Sequence, residues 1–292
     1  MTFPQAIDLF IFDQQLRGNT DKTIKTYRDF ITAFTDWLEK QRLVNIEDLT
    51  LSHVQQYQIY LINRPCDNKA KPLARRTVRT YIRHIKIFLG FCFENGYIKE
   101  AFHLNIKLPK AEKPLIEILS DQEAEQLITT AGYGIDAKRN RAIISLMLDC
   151  GLRLSETAGV KESDIHFDSG YILITGKGRK QRIVPIGRKV SDALRSHGVP
   201  PARGAPLFGM TPNAIAGMIK RLKIKSGIPR LHAHLLRHTF ATNYLIHGLG
   251  DIYELSRILG HADIKITEGY IQLAGYYKIL KNREIKTYLD MQ

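Results

Sequence analysis

LHAHLLRHTFATNYLIHGLGDIYELSRILGHADIKITEGY, residues 231–270, decides how the rest of the chain is read. His234, Arg237 and His238 fall on one helix-like turn, His261 follows Leu259-Gly260, and Tyr270 closes the stretch. No acidic pair, reactive cysteine or glycine-rich phosphate cradle lies among them. These side chains are cationic and hydrogen-bond donating, which is the equipment for holding a charged oxyanion. Their upstream partners are Gly151-Leu152-Arg153-Leu154-Ser155-Glu156 and, between the two, Gly176-Lys177-Gly178.

A chain of 292 residues exceeds the usual single-domain size, so two domains are the default and a sizeable core is available. Its formal charge of +14 points to a polyanion, either nucleic acid or an acidic membrane surface. Nucleic acid fits better, because there is no long apolar run and no basic amphipathic anchor. The amino terminus, MTFPQAIDLFIFDQQL, lacks a leading basic patch and carries Asp8 and Asp13 among its apolar residues. That speaks against a signal peptide and for a first helix. Cys66, Cys92 and Cys150 are odd in number and far apart, which fits a reduced, cytoplasmic compartment and neither a disulfide framework nor a zinc knuckle.

Working outward from the opening stretch, Tyr171–Thr175 and residues 182–186 are short β-branched runs flanking Gly176-Lys177-Gly178-Arg179-Lys180, which predicts a β-hairpin with a basic tip. Helices are expected over 121–130, opened by the capping-box pattern Ser120-Asp121-Gln122-Glu123, and over 139–150. Helical patterns resume near Asn213 and continue to the end. The proline-bracketed, charged segment 108–114 reads as a linker. The domains are therefore a helical one over 1–108, a linker over 109–114 and a larger one over 115–292. The fold class is mainly α with a small antiparallel β-sheet.

In the first domain, Asn19-Thr20 starts a helix in which Ile24, Tyr27, Ile31, Phe34 and Leu38 recur at spacings of three and four. Lys22, Lys25 and Arg28 lie off that stripe, where they could meet phosphate. A third helix covers 52–61, and the loop NRPCDNKAKP ends it. Over 73–95, Val78, Ile82, Ile85, Leu89 and Cys92 form an apolar stripe, while Arg75, Arg79, Arg83 and Lys86 keep the same period on a neighbouring face and Arg76 lies just beyond. No acidic residue interrupts these cations until Glu94, so salt bridging along the helix does not explain them, and contact with DNA is the favoured reading over a solvated face.

Transferring a DNA phosphate to a side chain concentrates negative charge on the non-bridging oxygens, and arginine meets such charge bidentately. Arg153 and Arg237 are the candidates, with Glu156 either a structural ion-pair partner or the carboxylate that holds the Arg153 guanidinium. A tyrosine nucleophile needs neighbouring cations or a base, because its pKa is about 10. Tyr270 lies in the segment best supplied with them. Lys177 at the hairpin tip is the candidate general acid. His234 and His238 stand four apart and could be read as metal ligands, but Arg237 between them would repel a dication and no carboxylate or thiolate joins them. His234 and His261 suit donation to phosphate, and His238 reads as structural. No metal or other cofactor is expected.

Arg153 within GLRLSE, Lys177 in the hairpin, His234-Leu235-Leu236-Arg237-His238, Leu259-Gly260-His261 and Tyr270 nine positions later resemble the ordered constellation of the tyrosine recombinases, also called the phage integrase family. The helical amino-terminal segment with GNTDKTIKTYRDF resembles that family's SAM-like core-binding domain. The resemblance implies a mixed α/β catalytic domain and a C-shaped clamp around duplex DNA. It places Arg153, Lys177, His234, Arg237 and His261 around the scissile phosphate, with Glu156 and His238 in support. Tyr270 forms a 3′-phosphotyrosyl link and releases a 5′-hydroxyl, without ATP or metal. Ala233 and Leu235 depart from the proline and aspartate frequent in relatives, and Gly269 replaces a larger apolar residue before the nucleophile. The segment 276–289 looks like a terminal helix that docks on a neighbouring protomer.

The reading is thus a site-specific recombinase or integrase acting as a homo-tetramer on two double-stranded DNA core sites, through a Holliday junction, for a mobile element or phage. With no arm-binding domain ahead of residue 1, a simple core site is expected. Lys25, Arg28, Arg75, Arg76, Arg79, Arg83, Lys86 and Arg179 are its expected DNA contacts. Chromosome or plasmid dimer resolution of the Xer type, a type IB topoisomerase, and a DNA-binding regulator with a decayed site are the alternatives.

Overall fold

Thr20 caps the second helix by accepting a hydrogen bond from the Thr23 backbone N–H at 3.3 Å, and Ile31, Phe34 and Leu38 then bury one face completely. This arrangement belongs to a computed structural model that describes residues 1–66, 69–110, 116–176, 180–198 and 204–281. The chain divides into two compact units, Met1–Pro114 and Leu115–Gln292. The predicted linker falls largely outside the described residues.

The first unit contains α1 (Phe3–Leu16), α2 (Asp21–Lys40), α3 (Leu51–Asn63) and α4 (Arg75–Glu94). Val78, Ile82, Ile85, Leu89 and Cys92 of α4 are all buried, as their spacing predicts, and Phe88 joins them. Phe10 of α1 fixes the bundle centre, meeting Phe88 and Phe91 edge-on with ring centroids 5.5 and 5.4 Å apart. The segment expected as a loop instead carries a short antiparallel pair, β1 (Pro65–Cys66) and β2 (Lys69–Pro72).

In the second unit Ser120 and Glu123 form the predicted capping box at the start of α5 (Asp121–Ala131). There follow α6 (Ala137–Asp149), α7 (Leu154–Gly159) and a three-stranded antiparallel sheet of β3 (Ile165–His166), β4 (Tyr171–Thr175) and β5 (Gln181–Pro185), in that order. The hairpin β4–β5 is as expected. Strand β3 and the helix α8 (Arg188–His197) are additions that the sequence pattern did not suggest. Then come α9 (Pro212–Lys225), α10 (Ala233–Ile246), α11 (Ile252–Leu259) and α12 (Lys265–Lys281).

A continuous core joins Ile143, Ile144 and Met147 of α6 to Ile172 and Val184 of the sheet and Leu235 and Leu236 of α10. A second, smaller cluster sits among α10, α11 and α12 and contains Tyr270 itself, with Ala241, Leu255, Leu259 and Leu273. The tail, expected as a helix over 276–289, is described only to Lys281: α12 is one helix running through Tyr270 and Tyr276 to that point, and residues 282–292 lie outside the described residues. Leu273 and Ala274, buried one turn beyond Tyr270, hold that register across Gly269 and Gly275. Among the described residues no helix is long and apolar enough to cross a membrane.

Candidate active site

The site is built on the carboxyl end of α11. The last carbonyls of a helix have no intrahelical donor, and a residue in the left-handed region turns the chain away from them. Gly260 does this at φ 64°, and a Cβ there would also come within 2.9 Å of the Arg182 side chain. The freed carbonyls are taken by three guanidiniums. Arg182 Nε donates to Ile258 O at 2.7 Å, Arg237 Nη2 to Leu259 O at 2.8 Å, and Arg153 Nη2 to Gly260 O at 3.3 Å. Leu259-Gly260-His261 is therefore a scaffold for arginines as well as the carrier of a histidine.

Two further anchors set their directions. Arg237 Nη1 donates to Gly151 O at 2.7 Å, and Gly151 has φ 64° with no room for a Cβ beside the Phe240 ring. Glu156 on α7 holds the other two arginines. Its carboxylate accepts Arg153 Nη1 at 2.8 Å, the Arg153 backbone N–H at 2.8 Å, and both terminal nitrogens of Arg182 at 2.9 and 2.8 Å. Burial alone would raise the Glu156 carboxyl, but the Arg182 and Arg153 hydrogen bonds and charges outweigh it and hold the group at about 2. Burial, then the Arg153 charge, lowers Arg237 to about 10, which leaves it cationic at neutral pH.

His261 lies against Arg237, whose Nη2 is 3.0 Å from His261 Nε2. A guanidinium only donates, so Nε2 is the acceptor and the imidazole proton sits on Nδ1, which donates to Thr267 Oγ1 at 2.8 Å. Burial, then Arg237 and the other arginines, lower His261 to about 4, so it is neutral. The Tyr270 ring lies nearly parallel to it, with centroids 6.4 Å apart and planes 10° apart. Tyr270 is 4% exposed, and its hydroxyl meets His238 Nδ1 at 2.7 Å. Burial raises the phenol's pKa, against the opposing pull of Arg237 and Arg153. His234, one turn before His238, is solvent-accessible, with its ring 6.2 Å from that of His238. Its pKa is lowered by partial burial and by Arg237.

The structure thus gathers Arg153, Glu156, Arg237, His238, His261 and Tyr270 around one locus, with His234 at its rim. Lys177 and Arg179 lie outside the described residues. Arg182 and Thr267 were not anticipated. A signal for Arg182 existed: in β5 it pairs with Ile174 across the sheet and shares a face with buried Val184 two residues on, so a cation occupies a core-facing strand position and demands a partner. Thr267 carried no comparable signal. Among the described residues no three of His, Cys, Asp and Glu converge as a metal cage.

Of the expected DNA contacts of the first unit, all but the half-buried Lys86 are exposed. Arg28 pairs with Asp8 at 3.1 Å, Arg79 donates to Pro109 O at 2.9 Å, and Lys86 Nζ caps Leu104 O and Ile106 O, both at 3.3 Å.

Residues 117–275 match the phage integrase family, and residues 5–108 match the phage integrase SAM-like domain. The chain belongs to the phage integrase family. Tyrosine recombinase XerC of Bacillus licheniformis is 31% identical over 305 residues, covering 97% of this chain and 95% of the relative. Tyrosine recombinase XerD of Staphylococcus saprophyticus is 30% identical over 287 residues, covering 90% and 92%. The Tn1549 transposon integrase in complex with transposon right end DNA shares the fold, with a TM-score of 0.71 at 19% identity over 97% of this chain and 99% of that one. This phage integrase family member is a tyrosine recombinase, an enzyme that transfers DNA strands and has DNA as its partner.

Proposed function

We propose that Tyr270 is the nucleophile of a site-specific recombination reaction. Its oxygen attacks the scissile phosphorus, forming a 3′-phosphotyrosyl link and releasing a 5′-hydroxyl that later attacks a partner's link to rejoin strands. The observation that carries this reading is the convergence of three guanidiniums on the end of α11, beside the neighbouring His261 and Tyr270 rings. With one carboxylate against three arginines, the locus keeps a positive excess for an anion. Arg153 and Arg237 take the non-bridging oxygens, Glu156 and Arg182 fix their approach, and Lys177 protonates the leaving oxygen. His234 donates from the rim. For His261 to donate through Nε2, its proton must move from Nδ1, and the Thr267 hydroxyl, able to donate or accept, can serve both tautomers.

The helical domain 1–108 grips a specific core site through Lys25, Arg28, Arg75, Arg76, Arg79, Arg83 and Lys86, with Arg179 adding a contact from the hairpin. The linker 109–114 joins it to the catalytic domain 115–292. Four protomers synapse two duplexes, with the carboxyl-terminal tail reaching a neighbour, in the cytoplasm. Service to a mobile element is the first reading of the physiological role. Dimer resolution is the second, favoured by the Xer names of relatives that span nearly the whole chain. Resolution of a plasmid dimer carrying the site in the native host separates the two.

A nicked suicide substrate tests the chemistry. Wild-type protein accumulates a covalent protein–DNA adduct and Tyr270→Phe yields none; an adduct that persists in the variant removes Tyr270 from its role.

A further inference from the structure

The hydrogen bond between Tyr270 and His238 has a definite direction. A buried hydroxyl needs an acceptor for its proton. Nδ1 of His238, 2.7 Å away, supplies one; were Nδ1 to donate instead, the phenolic proton of this 4% exposed residue would be left without an acceptor. The other groups nearby are already committed. The two ring nitrogens of His261, whose plane runs nearly parallel to that of Tyr270, engage Arg237 and Thr267. Glu156 is saturated by Arg153 and Arg182. His234 is a full helical turn away on the solvent side.

We infer that His238 is a catalytic residue, the acceptor of the Tyr270 proton during strand cleavage and its donor during rejoining. The inference rests on Tyr270 as nucleophile. In the forward step the phenolic O–H bond breaks as the O–P bond forms, and the proton passes to His238 Nδ1. The P–O5′ bond breaks with its electron pair on O5′, which takes a proton from Lys177. In reverse, the 5′-hydroxyl proton returns to Lys177, and the imidazolium of His238 reprotonates the departing phenolate. Each strand exchange leaves both groups as they began.

The titratable and charged groups around His238 are His232 just before α10, His234 and Arg237 on it, and Tyr270 facing it from α12. Together with burial, which is the larger cause, they keep its imidazole neutral, with a pKa of about 4 in the empty site. A phosphodiester anion entering beside Arg237 offsets that local positive charge and makes His238 a stronger base when the proton must move.

Single-turnover cleavage of a suicide substrate tests this with two leaving groups, an ordinary 5′-bridging oxygen and a 5′-bridging sulfur that departs without protonation. His238→Asn keeps an acceptor oxygen near the Nδ1 position and so preserves the hydrogen bond, but it takes up no proton. The expected result is a fall of roughly 100-fold or more in adduct formation, equal for both substrates, with site binding unchanged. Lys177→Ala is the contrast, since sulfur rescues it. The acidic limb of the wild-type pH–rate profile should vanish in His238→Asn. A rate within roughly 3-fold of wild type, or rescue by sulfur, overturns the assignment. Adduct formation by Tyr270→Phe would instead overturn the nucleophile, so the two failures are distinguishable.

Discussion

The two units of this recombinase carry their positive charge in opposite ways. In the catalytic unit Arg153, Arg182 and Arg237 are tied to carbonyls or a carboxylate that come from distant parts of the chain. On α4 of the helical unit Arg75, Arg76 and Arg83 stand exposed along one helix. The first arrangement fixes direction before any anion arrives, which stabilises charge developing at one point. The second supplies charge along a line, which suits a backbone of regularly spaced phosphates and does not need fixed rotamers.

The sharpest way to break that contrast is to untie one catalytic arginine. Arg182 and Glu156 side chains are 12% and 6% exposed, so Arg182→Met strands a buried carboxylate on Arg153 alone. Removing one member of such a pair costs about 3–5 kcal/mol. The double variant Arg182→Met/Glu156→Leu should recover most of that loss in denaturant melts, while adduct formation stays depressed because Arg153 has lost its tether. If the single variant melts within about 1 kcal/mol of wild type, the preorganised network is not what holds the site.

How much of this was legible in the sequence follows from the distance over which each interaction acts. Val78, Ile82, Ile85 and Leu89 declare their burial through local spacing, and Ser120 and Glu123 declare a helix start within one turn. The order of Arg153, His234, Arg237, His261 and Tyr270 marked the locus through resemblance. The strand position of Arg182 signalled a buried cation, but its partners Glu156 and Ile258 are 26 and 76 residues away, a separation no local pattern encodes. The hydroxyl direction of Tyr270 escaped for the same reason, since α10 and α12 meet only in the folded chain, and His238 was read as structural. The short helix α8 offered only Val190, Ala193 and Leu194 as buried positions, too few to stand out.

Acid separates the two units less drastically. His238 and His261 lie at about 4 in the folded catalytic unit against an ordinary 6.5, so between those values the unfolded chain binds protons that the folded one does not. Their contribution is complete above 6.5 and is lost as pH falls toward 4, roughly 1–2 kcal/mol for each by pH 5. The helical unit has one histidine shifted the same way, His103, lowered by burial and by Lys86. Hydrogen exchange on the full chain between pH 7.5 and 5 should therefore show protection fading first in α10 and α12. Equal fading in α4 would erase the distinction.

The smallest expected effect divides the basic face of α4 itself. Periodicity treats Arg83 and Lys86 alike, yet Arg83 is exposed whereas Lys86 holds the carbonyls of Leu104 and Ile106. Arg83→Ala should leave stability within about 0.5 kcal/mol and lower the slope of log affinity against log salt by roughly 0.9, because one phosphate contact and its released counterion are gone. Lys86→Ala should cost about 1 kcal/mol of stability through two unsatisfied carbonyls and leave the slope nearly unchanged. Binding to core-site DNA across a salt series, paired with thermal melts, reads both. A slope change as large for Lys86→Ala as for Arg83→Ala would mean that the ammonium leaves its carbonyls for phosphate when DNA arrives. The helical unit would then gain its fixed geometry only on binding, whereas the catalytic unit has its own beforehand.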